Sequence, residues 1–284
     1  MENYTLVIDE SGAKGYASTT EKSVGEIGVM AGFVYSESDI KHIKMVFEHY
    51  TSGFGSPIDG KFHITDFPIE KQSEFRNLVF SVAKKLKIQW FFSAIYAQGF
   101  HESEFTDGRG YKNKNNLLHT TLFRNMLIKS LSMTYSIGIK DINLNVVTDT
   151  IDRGVMKKFE ITANEIKRLF LGEEKSIFVK QWNPDSKKVK KTIIHSSISS
   201  ENMPKYNKLN VEISCEESIL TIIADVLVNS VRYYLSQNRS KNLENDLNSE
   251  LAIQGHPLLE LVFAPKDSDE FFPLQDILYR REAI

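Results

Sequence analysis

The chain alternates between short apolar runs with a strand period and longer amphipathic stretches with a helix period. The run "YTLVIDESG" (4–12) and the run "GEIGVMAGFVYS" (25–36) are joined by a polar, glycine-bearing segment, which predicts a hairpin. The pattern then predicts further strands at 87–100, 142–149, 176–182 and from 210, and helices at 38–50, 69–86, 115–135, 153–171 and in the second part of 210–235. Because strands alternate with helices from 115 onward, we expect parallel pairing in a layered α/β sheet.

The length of 284 residues, of which 41% are hydrophobic, suits one large α/β domain spanning 1–284. Three segments interrupt or extend this pattern. They are a helical insertion at about 37–86, a polar insertion at about 183–209 and a C-terminal extension at about 236–284. Within the polar insertion, "DSKKVKK" predicts the tip of a hairpin or a loop.

Composition narrows the class of protein further. No stretch approaches the roughly 20 uncharged apolar residues of a membrane span, and Met1-Glu2-Asn3 leads at once into a strand pattern rather than a signal peptide. We therefore expect a cytoplasmic protein with no membrane partner. Cys215 is the only cysteine, which excludes an intrachain disulfide and a cysteine-based zinc site and predicts a small buried thiol. The net charge of -2 gives no global attraction to nucleic acid, although local patches can still supply it.

Acidic residues follow two of the predicted strands and interrupt an apolar helix. Asp9 and Glu10 end the first strand, Asp149 ends "INLNVVTD", and Asp225 is the only charged residue in "ILTIIADVLVNSV". An unpaired carboxylate at a buried position costs several kcal/mol, so a cation is expected to meet these acids. The alternatives are an N-cap role for Asp149, in competition with Asp152, and a hydroxyl or arginine partner for Asp225.

Acids on three separate elements are more informative than any one of them. Hard divalent cations take oxygen ligands, and two-metal phosphoryl transfer needs several carboxylates that converge on one point. Ligands of open α/β sheets gather at the carboxyl ends of the strands, where the first and fourth strands deliver their acids. The order of elements is that of the ribonuclease H-like fold, with helices inserted between the second and third strands and a polar insertion before the last helix.

Three motifs carry a resemblance to a known family. "IDESG", "GVMAGFVYS" and "SILTIIADVLVNS" resemble the family called domain of unknown function 3800, whose members open with a DESG motif and close with a helix bearing an Ala-Asp pair. The resemblance implies a ribonuclease H-like fold and a suspected metal-dependent nuclease, often found beside mobile elements or antiphage defence genes. It places Asp9, Glu10 and Asp225 in the site, with Asp149 as the strand acid and Asp152 as its rival.

Other residues are candidates for a supporting role. Glu217 lies about 80° from Asp225 around the helix and fits a helix start better than a ligand, whereas Ser218 is nearly aligned with Asp225. His63 is a candidate metal ligand, general acid or phosphate contact, although a satisfied histidine is the commoner case. The remaining supporting candidates are Ser11 and Asp66, and the candidate phosphate contacts are Lys61, Lys187, Lys188, Lys190 and Lys191.

Two functions from different classes fit this sequence. The first is a nuclease that binds DNA or RNA and uses Mg²⁺ or Mn²⁺ held by Asp9, Glu10, Asp149 and Asp225 to hydrolyse phosphodiester bonds. The second is a catalytically inactive ribonuclease H-like subunit that binds a protein partner or a second copy of itself. The nuclease hypothesis predicts that Asp9→Asn abolishes the task, whereas the second predicts that the variant still performs it.

Overall fold

The computed structural model describes residues 1–13, 26–54, 64, 67–97, 100, 117–173, 175–183, 188–196, 204–239 and 252–263. The strands are β1 (Glu2–Gly12), β2 (Ile27–Ser36), β3 (Phe91–Tyr96), β4 (Asp141–Thr148), β5 (Lys175–Asn183), β6 (Lys188–Ser196) and β7 (Lys208–Cys215). The α-helices are α1 (Glu37–Thr51), α2 (Ile69–Leu86), α3 (Leu117–Ser136), α4 (Arg153–Phe170) and α5 (Ile219–Arg239), with short 3-10 turns at Ser52–Phe54 and Leu259–Leu261.

Five of these strands form one mixed sheet in the order β3-β2-β1-β4-β7. β2 runs antiparallel to β1 and to β3, whereas β4 is parallel to both β1 and β7. The predicted hairpin of the first two strands and the parallel pairing further along are both confirmed. The chain is therefore an α/β fold with a mixed sheet flanked by helices, compatible with the ribonuclease H-like fold that its element order predicts.

Helices cover both faces of the sheet, and each face has its own apolar core. Residues of α1, α2 and α5 pack with Val7 and Val29 on one face, and residues of α3 and α4 pack with Leu6 and Ile8 on the other. The alternation of successive side chains along β1 explains this division, because neighbouring residues of a strand point to opposite faces. β2 is buried over most of its length because it is a central strand covered on both sides.

One predicted sheet strand belongs elsewhere. β5, predicted as "SIFVKQW", pairs antiparallel with β6 in a separate two-stranded sheet, and β7 takes the place beside β4. The prediction of a strand at 176–182 is correct, but its expected place in the layered sheet is wrong, since a strand pattern does not identify the pairing partner. The hairpin at "DSKKVKK" is confirmed, with residues 184–187 between its strands outside the described residues.

The end of the described chain docks on the domain. Trp90 donates its backbone N–H to the carbonyl oxygen of Leu261 at 3.1 Å and its indole N–H to that of Leu258 at 3.0 Å. Val262 forms a parallel bridge with Trp90, and Phe263 donates its backbone N–H to the Trp90 carbonyl oxygen at 2.7 Å, so residues 261–263 extend the edge of the sheet next to β3. The first part of the predicted extension therefore packs on this chain rather than on a partner.

Helix α5 is the part of the described chain that most resembles a membrane span. Over Ile219–Asn238 it has the length and apolar composition of a span, and 61% of that window is buried inside the domain. It packs against β1 and β2 as part of a core, and core helices of this kind meet the same criteria. Its burial accounts for its composition, and the cytoplasmic location stays a prediction.

The prediction of a buried thiol is wrong. Cys215 is exposed and free at the last position of β7. Strand β7 lies at the edge of the main sheet, and no residue after Leu209 in it is fully buried. Sequence alone gives the small size of the cysteine side chain but not the edge position that exposes it.

Candidate metal site

The register of the sheet brings Asp9 and Asp149 to the same level. Val7 of β1 is the partner of Val147 of β4, and both acids lie two residues further along parallel strands. The ligand atoms of Asp9, Glu10 and Asp149 all lie within 4.8 Å of one another. These three residues, called the acidic cluster below, could hold a metal ion, as the acids at the carboxyl ends of the strands predict.

Burial and charge both act on Asp9. Its residue is 6% exposed, and burial raises the pKa of its carboxyl well above the usual range. The negative charge of Asp225 raises that pKa further, followed by the charges of Glu10 and Asp149. Asp225 of α5 therefore acts electrostatically on Asp9, although it is not one of the three residues whose ligand atoms converge. Its role as a metal ligand stays a prediction.

A network of hydrogen bonds holds Asp225 in place. Asn229, one turn later on α5, donates its side-chain amide to Asp225 Oδ1 at 2.5 Å and to the Asp225 carbonyl oxygen at 3.0 Å. Asn229 Oδ1 accepts a hydrogen bond from Ser11 Oγ at 3.0 Å, which links the helix to the end of β1. The backbone N–H of Ile64 donates to Asp225 Oδ2 at 3.3 Å. Ser11, a predicted supporting residue, is thus connected to Asp225 through Asn229, which the sequence did not suggest.

Gly12 allows β1 to end tightly against β2. Its φ is +84°, and a side chain there would place Cβ 2.1 Å from the carbonyl oxygen of Ile27. Only glycine tolerates both this conformation and this close approach. The glycine of "DESG" is thus the last residue of β1, two positions beyond Glu10, and it keeps the strand end tightly against β2.

The two rival acids have separate roles. Asp152 is the N-cap of α4, and its side chain accepts a hydrogen bond from the backbone N–H of Gly154 at 2.6 Å. Asp149 is instead part of the acidic cluster. The N-cap alternative for Asp149 is therefore wrong, and the helix start accounts for Asp152 alone.

Glu217 and Ser218, at the start of α5, also have different surroundings. Glu217 accepts a hydrogen bond from Thr150 Oγ1 at 2.9 Å on the exposed surface. Ser218 Oγ is buried and has no hydrogen-bond partner within the described part of the chain. The helix-start position of Glu217 agrees with its exposure, and a ligand contact for Ser218 stays a prediction.

Several predicted residues have no described side chain. His63, Asp66, Lys61 and Lys187 lie outside the described residues. Ile64, which follows His63, bonds to Asp225, so the chain passes the site at this point. The other three candidate lysines for phosphate contact are in strand β6 rather than in a loop; they are Lys188, Lys190 and Lys191.

One residue at the site was missed by sequence reasoning. His119 lies in the first turn of α3, and its Nε2 is 3.6 Å from Glu10 Oε2. A helix that follows a strand begins near the carboxyl end of that strand, which is the edge where the acids meet. This topology was the available signal, but a histidine among apolar residues resembles an ordinary core residue.

Two comparisons with known proteins identify no family and no relative for this chain. A scan against protein-family models finds no matching family. A search of curated proteins also finds no match. The likeness to domain of unknown function 3800 therefore depends on the three sequence motifs alone, and function has to be argued from the site.

Proposed function

We propose that this chain is a metal-dependent nuclease that hydrolyses phosphodiester bonds of DNA or RNA. The observation that supports the proposal best is the convergence of Asp9, Glu10 and Asp149 within 4.8 Å, with Asp225 close enough to raise the pKa of Asp9. Mutual repulsion of buried carboxylates is costly unless a cation offsets it. An all-oxygen donor set suits Mg²⁺ or Mn²⁺.

Each residue of the site has a distinct task in this proposal. Asp9, Glu10 and Asp149 hold the cation at the sheet edge, and Asp225 adds negative charge from the facing helix. Asn229 and the N–H of Ile64 fix the orientation of the Asp225 carboxylate. When bound, the divalent ion supplies an activated water and stabilises the leaving oxygen of the phosphodiester.

The lysine-rich hairpin is the candidate surface for phosphate contacts. In the antiparallel register of β5 and β6, Lys180 and Lys191 are cross-strand partners. Lys188 and Lys190 lie on the same strand as Lys191. Positive charge concentrated in this way favours binding to a polyanion, and each phosphate contact makes the affinity more sensitive to salt.

Cleavage of a defined substrate panel tests the proposal. The purified full-length chain is incubated with single- and double-stranded DNA, single-stranded RNA and an RNA–DNA hybrid, with Mg²⁺, Mn²⁺ or EDTA. We expect cleavage of at least one substrate with a divalent ion and none with EDTA. Asp9→Asn and Asp149→Asn should each lower the rate by about 100-fold or more, because each removes a ligand charge.

Asp141→Asn is the matched control, because Asp141 lies at the opposite end of β4 from the cluster and interacts with Asn207. It should stay within about twofold of the unmodified rate. Cleavage that persists in EDTA or in Asp9→Asn would contradict the proposal. Binding of nucleic acid without cleavage of any substrate would favour the alternative of a catalytically inactive subunit. The proposed role in antiphage defence or beside mobile elements requires that the metal-dependent cleavage is observed.

A further inference from the structure

His119 is a buried histidine whose ring nitrogens form no hydrogen bond with any described residue. The residue is 2% exposed, and its ring packs edge-on against Phe159 with 4.9 Å between centroids. Neither Nδ1 nor Nε2 has a hydrogen-bond partner among the described residues. A buried polar atom without a partner has lost its hydrogen bonds to water at a cost in free energy, so this arrangement requires an explanation.

His256 shows how this protein treats an ordinary core histidine. Its Nε2 pairs with Ser230 Oγ at 2.8 Å, and its Nδ1 accepts the backbone N–H of Leu258 at 3.0 Å. Both histidines are buried, yet only His256 has both nitrogens satisfied. The difference indicates that His119 has a partner of another kind.

The position of His119 relative to Glu10 suits a metal ligand. Its Nε2 lies 3.6 Å from Glu10 Oε2, which is longer than a normal hydrogen bond. With ligand bonds of about 2.1 Å, a tetrahedral angle separates two donor atoms by about 3.4 Å and an angle near 120° by about 3.6 Å. One cation between the two side chains therefore fits the observed separation.

The alternation of side chains along β1 places Glu10 on the opposite face of the sheet from Asp9. Asp9 shares a face of β1 with Val7 and faces the core that contains α5, whereas Glu10 follows Leu6 and Ile8 toward α3. Glu10 is thus the member of the acidic cluster that lies next to His119. Its carboxylate has two oxygens and can bridge two cations.

We propose that Glu10 and His119 form a second cation position beside the acidic cluster, and that this position selects a transition metal over Mg²⁺. Imidazole nitrogen is a good ligand for Zn²⁺, Fe²⁺, Ni²⁺ and Cu²⁺, and Mn²⁺ accepts it beside oxygen ligands, whereas Mg²⁺ prefers oxygen donors and water. The inference rests on the metal binding in the proposed function but not on cleavage. The acidic cluster and the position formed by Glu10 and His119 are then two adjoining cation positions that share Glu10.

Pulsed electron paramagnetic resonance of bound Mn²⁺ tests this position directly. Metal-free full-length protein is titrated with Mn²⁺, and the spectrum is searched for coupling to an imidazole nitrogen, with natural and ¹⁵N-histidine protein compared. We expect histidine-nitrogen coupling in the unmodified chain and its loss in His119→Gln. The titration should also show that one of two Mn²⁺ equivalents binds at least about tenfold more weakly in that variant.

Two other histidines serve as matched comparisons. His42→Gln changes an exposed histidine of α1, and His63→Gln changes the candidate predicted from the sequence. Both variants should keep the nitrogen coupling. Loss of the coupling in His63→Gln with retention in His119→Gln would overturn the assignment.

The measurement on the unmodified chain decides the proposal even where a variant folds poorly. Bound Mn²⁺ without histidine-nitrogen coupling, or no Mn²⁺ binding at all, would overturn the second position. Should His119→Gln lower the thermal stability strongly, His119→Asn provides the second variant with the same expected loss. Nitrogen coupling in a protein that cleaves no substrate would reject the nuclease and retain the metal position.

Discussion

Asn229 donates one side-chain amide group to two oxygens of Asp225, Oδ1 at 2.5 Å and the backbone carbonyl oxygen at 3.0 Å. The same side chain accepts a hydrogen bond from Ser11 on β1. Asn229 therefore sets both the orientation of the Asp225 carboxylate and its distance from the end of the strand. Because Asn229 orients Asp225, whose charge acts on Asp9, Asn229 is expected to control how well the site binds a cation.

Asn229→Ala should weaken Mn²⁺ binding about tenfold, because groups that orient metal ligands contribute at this scale. It should also lower the free energy of unfolding by about 1–2 kcal/mol through the lost hydrogen bonds. Calorimetric titration with Mn²⁺ and urea unfolding measure the two effects. Asn210→Ala is the control, since Asn210 bonds to Glu212 on the exposed side of β7, and it should change neither quantity appreciably. Equal Mn²⁺ affinities for the two variants would contradict a positioning role.

Asp9→Asn should stabilise the metal-free protein and remove most of the stabilisation that a metal provides. Burial and the charges of Asp225, Glu10 and Asp149 all disfavour the ionised form of Asp9, so a neutral isostere relieves that penalty. In EDTA we expect the free energy of unfolding to rise by at least about 1 kcal/mol.

With Mn²⁺ at 100 times its dissociation constant, the unmodified chain should gain about 3 kcal/mol, whereas Asp9→Asn should gain much less. Urea unfolding at neutral pH with and without Mn²⁺ measures both effects. Asp141→Asn should behave as the unmodified chain in each condition, because Asp141 is at the far end of β4. A destabilised Asp9→Asn in EDTA would show that the cluster is held by contacts that this charge argument omits.

Asp149→Asn and Asp152→Ala should separate metal binding from helix capping. Asp149→Asn removes a cluster ligand and should lower Mn²⁺ affinity by at least about tenfold. Asp152→Ala removes the N-cap of α4 and should cost about 1 kcal/mol of stability with little change in Mn²⁺ affinity. Metal titration and urea unfolding of both variants test this, and reversed effects would mean that the two roles are exchanged.

The sequence predicts the parts of the site that follow from strand ends, and misses the parts that depend on packing. Asp9 and Asp149 are predictable because parallel strands carry them to one edge, and Asp225 because a carboxylate in an apolar helix requires a partner. His119 is missed because its unsatisfied nitrogens are visible only once α3 is packed against Glu10. Asn229 is missed because an amide in a helix gives no sign of its partner.

The fold shows the same division between local pattern and tertiary context. Periodicity gives the strand and helix types, and the right-handed connections favour the layered sheet. It does not reveal that β5 pairs with β6 and that β7 completes the main sheet, because it identifies each run as a strand without identifying its partner. Pairing partners depend on contacts between distant segments, which a local pattern does not contain.

His256 should make the protein sensitive to mild acid. Burial lowers the pKa of this histidine to about 4, whereas in the unfolded chain it returns to its usual value near 6.5. Between these values the unfolded state binds more protons, so stability is complete above about pH 6.5 and falls as the pH drops toward 4.

The loss attributable to His256 should reach about 3 kcal/mol, measured by urea unfolding at several pH values between 4 and 7.5. His256→Gln should be less stable at pH 7.5, because its bonds to Ser230 and Leu258 are disturbed, but should show a smaller fall with acid. His42→Gln, at an exposed position, should keep the original pH dependence. An unchanged acid slope in His256→Gln would assign the sensitivity to other groups.

The span of chain between Asp9 and Asp225 has a consequence for biosynthesis. A ribosome makes the first strand early, but the helix that carries Asp225 follows β7 and is among the last described elements to emerge. A nascent chain therefore carries Asp9 and Glu10 at the end of an unfinished sheet for most of its synthesis. Because Asp225 contributes the largest charge repulsion on Asp9, the acidic cluster experiences its full negative charge only when this late helix packs on the sheet.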